Sequence, residues 1–297
     1  MTEPIGELKV ENIDVNTFQE AGIELVFSAL PSDIAAKAEL ELAENGFKVF
    51  SNASAYRMDP EVPLLIADIN PDHLSLIKRQ KEKQDGYIVT NPNCTVAGLA
   101  TGLKPLVQNF NVKGVDVVTY QALSGAGHPG VPAKDIEGNI IPYIAGEEEK
   151  VEVECNKILG NLTDGGIQPA SFTVIASCAR VPVRDGHLEN VMVTFDKEVN
   201  LDEVKNALSE YKGLGSRSLP TAPEVPILVT EEENRPQPIK DIDNGSPENA
   251  KGMAVTTGRF KLVKSKLRFY LLVHNTIRGA AGCSIINAEL AKVDGYL

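Results

Sequence analysis

The stretch IELVFSALPSDIAAKAELELAENGFKVFS (Ile23–Ser51) decides the fold class. Ile23 to Leu30 is apolar and β-branched enough for a buried strand. Ser32 then offers an N-cap for a helix that stops near Gly46, and Lys48 to Ser51 begins the next strand. Outward from there, a further apolar run at Val62 to Ala67 precedes Asn70 and Pro71 at helix-start positions. A helix through about Lys83 and a strand at Tyr87 to Thr90 continue the alternation. Strand and helix in this order predict a doubly wound parallel sheet.

After Cys94 the pattern changes. A helix to about Phe110 leads into a β-branched strand from Val112 to Thr119 that continues to Leu123. Strands are expected at Phe172 to Cys178, Val191 to Phe195, Met253 to Phe260 and Leu267 to Val273, with helices at about Glu147 to Leu159 and Asp202 to Lys212. This reads as an α+β domain with a mixed or antiparallel sheet. Ser216 to Pro226 and Arg235 to Lys251 are turn-rich and read as loops, not linkers. Thr276 to Lys292 reads as a small-residue helix, with Gly279 and Gly282 permitting close packing as it returns to the first domain.

With 297 residues, 42% of them apolar and 24% charged, the chain has ordinary globular composition and room for two domains. The start lacks a basic cluster and an apolar core, and no run is long enough for a membrane span, so a cytoplasmic protein is expected. A formal net charge of −12 repels phosphate backbones and anionic membranes, which argues against nucleic-acid and membrane partners. Cys94, Cys155, Cys178 and Cys283 are widely separated, so neither a metal site nor a disulfide framework is expected.

The segment Asn91-Pro92-Asn93-Cys94-Thr95 ends a strand and opens a helix, placing the Cys94 thiol where the helix dipole and free amides favour thiolate. A buried packing cysteine is the other reading. A nucleophile needs a proton acceptor among His73, His128, His187 and His274. His73 lies in a charged helix and is expected to be solvated, while spacing alone excludes neither His128 nor His274. His187 follows Arg180 in Arg180-Val-Pro-Val-Arg-Asp-Gly-His187, either a charged hairpin tip or a turn that brings guanidinium and imidazole to one pocket. Gly125-x-Gly127-x-x-Gly130 matches a dinucleotide fingerprint by letter, but Pro129 and Pro132 prevent the helix that must follow. It reads instead as a loop whose amides approach a ligand, with Gln121 before it as a donor for an oxyanion. Glu147-Glu-Glu-Lys150 is a normal acidic helix start, and Arg57 an ordinary surface arginine unless an anion must be held.

Taken together, FSALPSD (Phe27–Asp33), NASAYRM (Asn52–Met58), NPNCT (Asn91–Thr95), QALSGAG (Gln121–Gly127) and HNTIRGAAG (His274–Gly282) resemble, in order and spacing, the aspartate-semialdehyde dehydrogenase family. Ala55-Tyr56-Arg57 and the HNTIRGAAG ending resemble its archaeal and fungal branch. The resemblance implies an NADP-dependent enzyme in which Cys94 attacks L-aspartyl 4-phosphate and His187 serves as acid and base. It further implies that Gln121 orients the acyl intermediate and Asn93 binds substrate beside it. Arg180 would pair with the substrate carboxylate, Glu147 rather than Glu148 would receive its ammonium group, and Arg57 with Lys150 would clamp the phosphate. Ser28, Ala29, Ser124, Gly125 and Asn275 are the implied cofactor contacts. A homodimer or homotetramer is implied, with a dinucleotide-binding domain at 1–93 and 275–297 and a catalytic and dimerisation domain at 94–274.

One departure stands out. The family carries a glycine-rich pyrophosphate turn after its first strand, whereas the one candidate strand before Ile23, Leu8 to Val10, is followed by none. The expectation is a Rossmann-like domain that is N-terminally incomplete, through an internal or misassigned start at Met1 or an incomplete gene. Three other readings follow: a malonyl-CoA or succinyl-CoA reductase with the same thioester chemistry, an N-acetylglutamyl-phosphate reductase, whose motif usually has glycine where Asn93 stands, and a non-catalytic remnant that dimerises through its second domain.

Overall fold

In the computed structural model, which describes residues 12–214 and 217–297, helix α1 (Val15–Glu20) leads into strand β1 (Leu25–Ser28), helix α2 (Ser32–Glu44) and strand β2 (Lys48–Ser51). A 3₁₀ turn at Pro71–Leu76 passes into α3 (Ile77–Gln80), followed by β3 (Tyr87–Thr90). The three strands pair in parallel in the order β1-β2-β3, as the alternation predicts. The expected strand at Leu8 to Val10 lies outside the described residues, as does Ser216 at the start of an expected loop.

Two details of this region differ from expectation. Pro31, not Ser32, is the N-cap of α2, and the Ser32 hydroxyl is bonded to Ser54 Oγ at 2.6 Å. The apolar run Val62 to Ala67 touches β3 through a single bridge, Leu64 to Thr90. Its buried backbone is satisfied by side-chain amides: Ile66 N donates to Asn70 Oδ1, Asn70 Nδ2 donates to Leu64 O, and Asn287 bonds both Ala67 N and Leu65 O. The expected helix to Lys83 stops early, at Gln80, whose amide bonds both Ile88 N and Ile88 O at the free edge of β3.

Beyond the small sheet come α4 (Cys94–Asn109), β4 (Val112–Gln121), α5 (Ala133–Ile136) and α6 (Glu147–Ile158). A hairpin the sequence did not reveal, β5 (Asn161–Thr163) with β6 (Gly166–Gln168), precedes β7 (Thr173–Arg180), β8 (His187–Phe195) and α7 (Leu201–Ser209). Strand β9 (Ile227–Thr230), also unforeseen, helix α8 (Pro238–Asp241), β10 (Val255–Val263), β11 (Lys266–Val273) and α9 (Gly282–Val293) complete the order. The second sheet runs β7-β4-β8-β11-β10-β9 and is mixed: β4–β7 and β9–β10 are parallel, the other pairs antiparallel.

Alternation along these strands buries one face under α4, α6 and α7. Successive rows across β7, β4, β8 and β11 read Val174, Val115, Val193 and Leu267, then Ala176, Val117, Val191 and Phe269. They form one core with Leu99, Leu103, Val151 and Leu208 from the helices. The last helix does return to the small sheet, where Ile286 and Leu290 pack with Phe50, Tyr87 and Val89. It is preceded by a π turn, Ile277–Ala281, that carries Gly279 against the start of α4.

Candidate active site

Cys94 is the first residue of α4, and its half-buried thiol faces His187 Nε2 at 3.2 Å. Asn93 caps the helix, its Oδ1 accepting from Thr95 N at 2.9 Å and Val96 N at 3.4 Å. Gly279 lies so close that a Cβ there would meet Cys94 Cβ at 2.7 Å, so the close approach foreseen for this glycine serves the nucleophile turn. The backbone N–H of Ala122 donates to His187 Nδ1 at 3.1 Å. An amide nitrogen can only donate, so the neutral imidazole carries its proton on Nε2, toward the sulfur.

The expectation that the helix start alone favours thiolate needs correction. Burial pushes the Cys94 thiol up to about 12, with Glu147 adding to the rise, against smaller opposing effects of Arg57, the Thr95 amide and Arg180. Burial also pulls His187 down to about 3, helped by the positive charge of Arg180. Both groups are therefore neutral at rest.

Around this pair the strand ends contribute a polar row. Arg180 ends β7 beside Gln121 at the end of β4, and His187 begins β8 next to Val273 of β11. Arg180 and His187 therefore flank β4 and are joined by a connection that crosses it, not by a hairpin. Gln121 Nε2 donates to Thr95 Oγ1 at 2.9 Å and to Glu147 Oε1 at 3.0 Å. Arg180 Nη1 donates to Ala122 O at 2.6 Å. Glu147, the first residue of α6, is buried and also accepts from Asn93 Nδ2 at 2.9 Å, whereas Glu148 turns away to accept from Cys178 N.

Arg57, although buried, faces the same cavity of about 490 Å³ as Cys94, Asn93, Glu147 and Lys150. Its Nη1 is held by Glu154 at 3.0 Å and its Nη2 by Asn52 O at 2.7 Å, while Nε has no partner. Ser124, Gly125 and Asn275 line the opposite wall. Asn275 spends both ends of its amide, accepting from Gly186 N and donating to Ser124 Oγ, each at 2.8 Å. The backbone N–H groups of Leu123, Ser124 and Gly125 are bonded to Val183, Arg184 and Ala122 carbonyls, and farther along the glycine-rich loop Gly127 also lines the cavity.

Ser28 sits behind the wall with its buried Oγ unpartnered, Ala29 is exposed, and Leu30, Pro31 and Ser32 beyond them line the cavity. Reasoning from sequence missed Ser32, Ser54, Thr276 and, beneath the wall, Glu154 and Lys157; the first three are small hydroxyl residues inside the quoted motifs, which was the available signal. His73 is fully buried between Asn70 and Gly160, contrary to the solvated position expected, because its 3₁₀ turn faces inward. His128 is exposed and His274 is half-buried outside this cavity. Among the described residues there is no cluster suited to a metal ion, and no helix is long and apolar enough to cross a membrane.

Residues 103–278 match the family described as "Semialdehyde dehydrogenase, dimerisation domain" and residues 1–77 the one described as "Semialdehyde dehydrogenase, NAD binding domain". The aspartate-semialdehyde dehydrogenase of Methanothermobacter thermautotrophicus is 47% identical over 98% of this chain and 83% of its own length. A malonyl CoA reductase (NADP) from Metallosphaera sedula is 39% identical over 93% of this chain and 78% of its own. The crystal structure of aspartate semialdehyde dehydrogenase with NADP from Candida albicans superposes with a TM-score of 0.81 at 36% identity, covering 92% of this chain and 79% of that one.

Proposed function

The chain belongs to the aspartate-semialdehyde dehydrogenase family, and on that premise we propose that it reduces L-aspartyl 4-phosphate to L-aspartate 4-semialdehyde through a thioester at Cys94. The observation that carries the reading is the 3.2 Å approach of Cys94 Sγ to His187 Nε2, at a helix start that opens on a cavity lined by Arg57, Lys150 and Glu147. That set matches a substrate with a phosphate, an ammonium group and a carboxylate. The Cys94 thiol gives up its proton as sulfur bonds to the acyl carbon, the carbon–oxygen bond to phosphate breaks, and phosphate departs with the electron pair and takes up that proton. Arg57 and Lys150 hold the phosphate, Glu147 the ammonium group and Arg180 the carboxylate, beside Asn93. Gln121 orients the acyl group. His187 serves as acid and base in thioester formation and breakdown, its Nε2–H donating to the sulfur as the thiol proton leaves.

NADP, when bound, supplies the hydride that reduces the thioester. Ser28 fits that group through its orphaned buried hydroxyl at the C-terminal end of a parallel strand, where open α/β sheets bind ligands. Ala29, Ser124, Gly125 and Asn275 would complete its contacts. The residues after Cys94 form the dimerising part, and Ile175 and Val118 on the outer face of the mixed sheet, 55% and 41% exposed, are the apolar side chains a partner copy would cover.

The malonyl CoA reductase relative favours a second reading, reduction of an acyl-CoA by the same cysteine. Glu147 argues against it, since a dicarboxylic thioester lacks the ammonium group that would neutralise this carboxylate. Purified chain assayed for oxidation of aspartate semialdehyde with NADP and phosphate should outrun its oxidation of malonate semialdehyde with coenzyme A. The reverse preference rejects the first substrate, and no NADPH binding at all favours a non-catalytic remnant.

A further inference from the structure

Helix α6 reaches the site at more than its first turn. Glu147, Glu154 and Lys157 are seven and three residues apart, close to whole turns, so all three project from one face toward the first sheet and the nucleophile turn. Glu154 is 2% exposed. Its Oε2 accepts from the backbone N–H of Asn93 at 2.6 Å and its Oε1 from Arg57 Nη1 at 3.0 Å. Lys157, 4% exposed, donates from Nζ to Arg57 O and Asp59 O, both at 2.7 Å, and to Val62 O at 3.0 Å. One carboxylate thus bridges the turn that carries Cys94 and the guanidinium that faces the same cavity, while one ammonium gathers the carbonyls of the arginine's own loop.

We propose that Glu154 is a positioning residue that fixes the spacing between Cys94 and Arg57, with Lys157 as its support, so that an oxyanion held by Arg57 sits in register with the sulfur. The bridge rests on the reading of Arg57 as part of the phosphate site. Its geometry suits that reading: Glu154 holds Nη1 and the Asn52 carbonyl holds Nη2, and each of these nitrogens keeps a second N–H for an anion in the cavity that Arg57 lines. Energetics point the same way. A buried ion pair gives little net stability, so a pair placed between nucleophile and anion site is better explained by the geometry it enforces. A purely structural tie would lower stability on removal without changing how an anion covers the sulfur.

The test is alkylation of Cys94 by iodoacetamide in the full chain, with inorganic phosphate as the protecting probe. Phosphate is expected to slow alkylation in the parent, and Glu154→Gln to weaken the protection constant about tenfold, the scale of one charge-assisted hydrogen bond. In a cycle with Arg57→Gln, the double variant should protect no worse than Arg57→Gln alone, because Glu154 acts through the arginine. An unchanged constant in Glu154→Gln, or a fully additive loss in the double variant, overturns the proposal while leaving the phosphate site intact. If Glu154→Gln does not fold, Lys157→Met should shift protection in the same direction by a smaller factor, and no shift there overturns the proposal. Absence of protection in the parent defeats the phosphate reading itself and this inference with it.

Discussion

Along β7, β4, β8 and β11 the row Ala176, Val117, Val191 and Phe269 packs the core, while four residues nearer α4 the row Arg180, Gln121, His187 and Val273 meets the turn of Cys94. Both rows are buried and both follow the same two-residue alternation. What separates them is where the strands end: core residues pack against apolar helix side chains, and end residues meet the first turns of α4 and α6, where Gln121 bonds Thr95 and Glu147. Between the two lies a mixed row, Cys178, Thr119, Glu189 and Leu271, in which neither oxygen of Glu189 has a hydrogen-bond partner. Polarity is thus graded along the strands, with chemistry at one end and packing at the other.

The comparison can be broken by substitutions in each row. Cys94→Ser above the end row should cost about 10³-fold or more in turnover with an unchanged melting temperature, checked by steady-state rates and calorimetry. Loss of fold, or a rate equal to the parent's, would erase the distinction. Phe269→Ala in the core row, which removes a ring stacked 5.5 Å from Phe260, should cost about 3–5 kcal/mol in denaturant unfolding while turnover per folded molecule holds. Arg180→Lys should raise the KM for the semialdehyde about tenfold with a smaller change in kcat, since a lysine keeps charge but loses the planar fork.

Glu189→Gln sharpens the picture at the middle row. Burial, with a smaller effect from Glu147, holds this carboxyl well above its usual 4.5. The folded chain therefore keeps a proton that the unfolded chain releases as pH rises past 4.5, so stability is lost upward from there. The amide cannot ionise, and the variant should lose less stability than the parent as pH rises above 4.5. Parallel stability curves would mean that Glu189 is ionised and solvated.

Much of the fold was legible because its signals are local. The βαβ alternation around Ile23–Ser51, the helix start at Cys94 and the acidic start of α6 all depend on residues adjacent in sequence. The failures depend on partners far away. The apolar run Val62 to Ala67 gives no sign that Asn287, from the last helix, takes its backbone groups. His73 looked solvated because nothing nearby announces Gly160. Within the site, Cys94 could be picked out by position and Glu147 only through the resemblance, but the register that sets Arg180, Gln121 and His187 side by side lies in strand order, which spacing does not encode. Glu154 and Lys157 were hidden for a related reason, since a charged helix face reads as solvated until the loop it grips is known.

The most direct test is to mix the protein with aspartate semialdehyde and NADP, without phosphate, quench in acid and map the adduct by peptide mass spectrometry. The account predicts one acyl group, carried by the peptide containing Cys94 and discharged when phosphate is added. An unmodified Cys94, or an acyl group on Cys155, Cys178 or Cys283 instead, would contradict it.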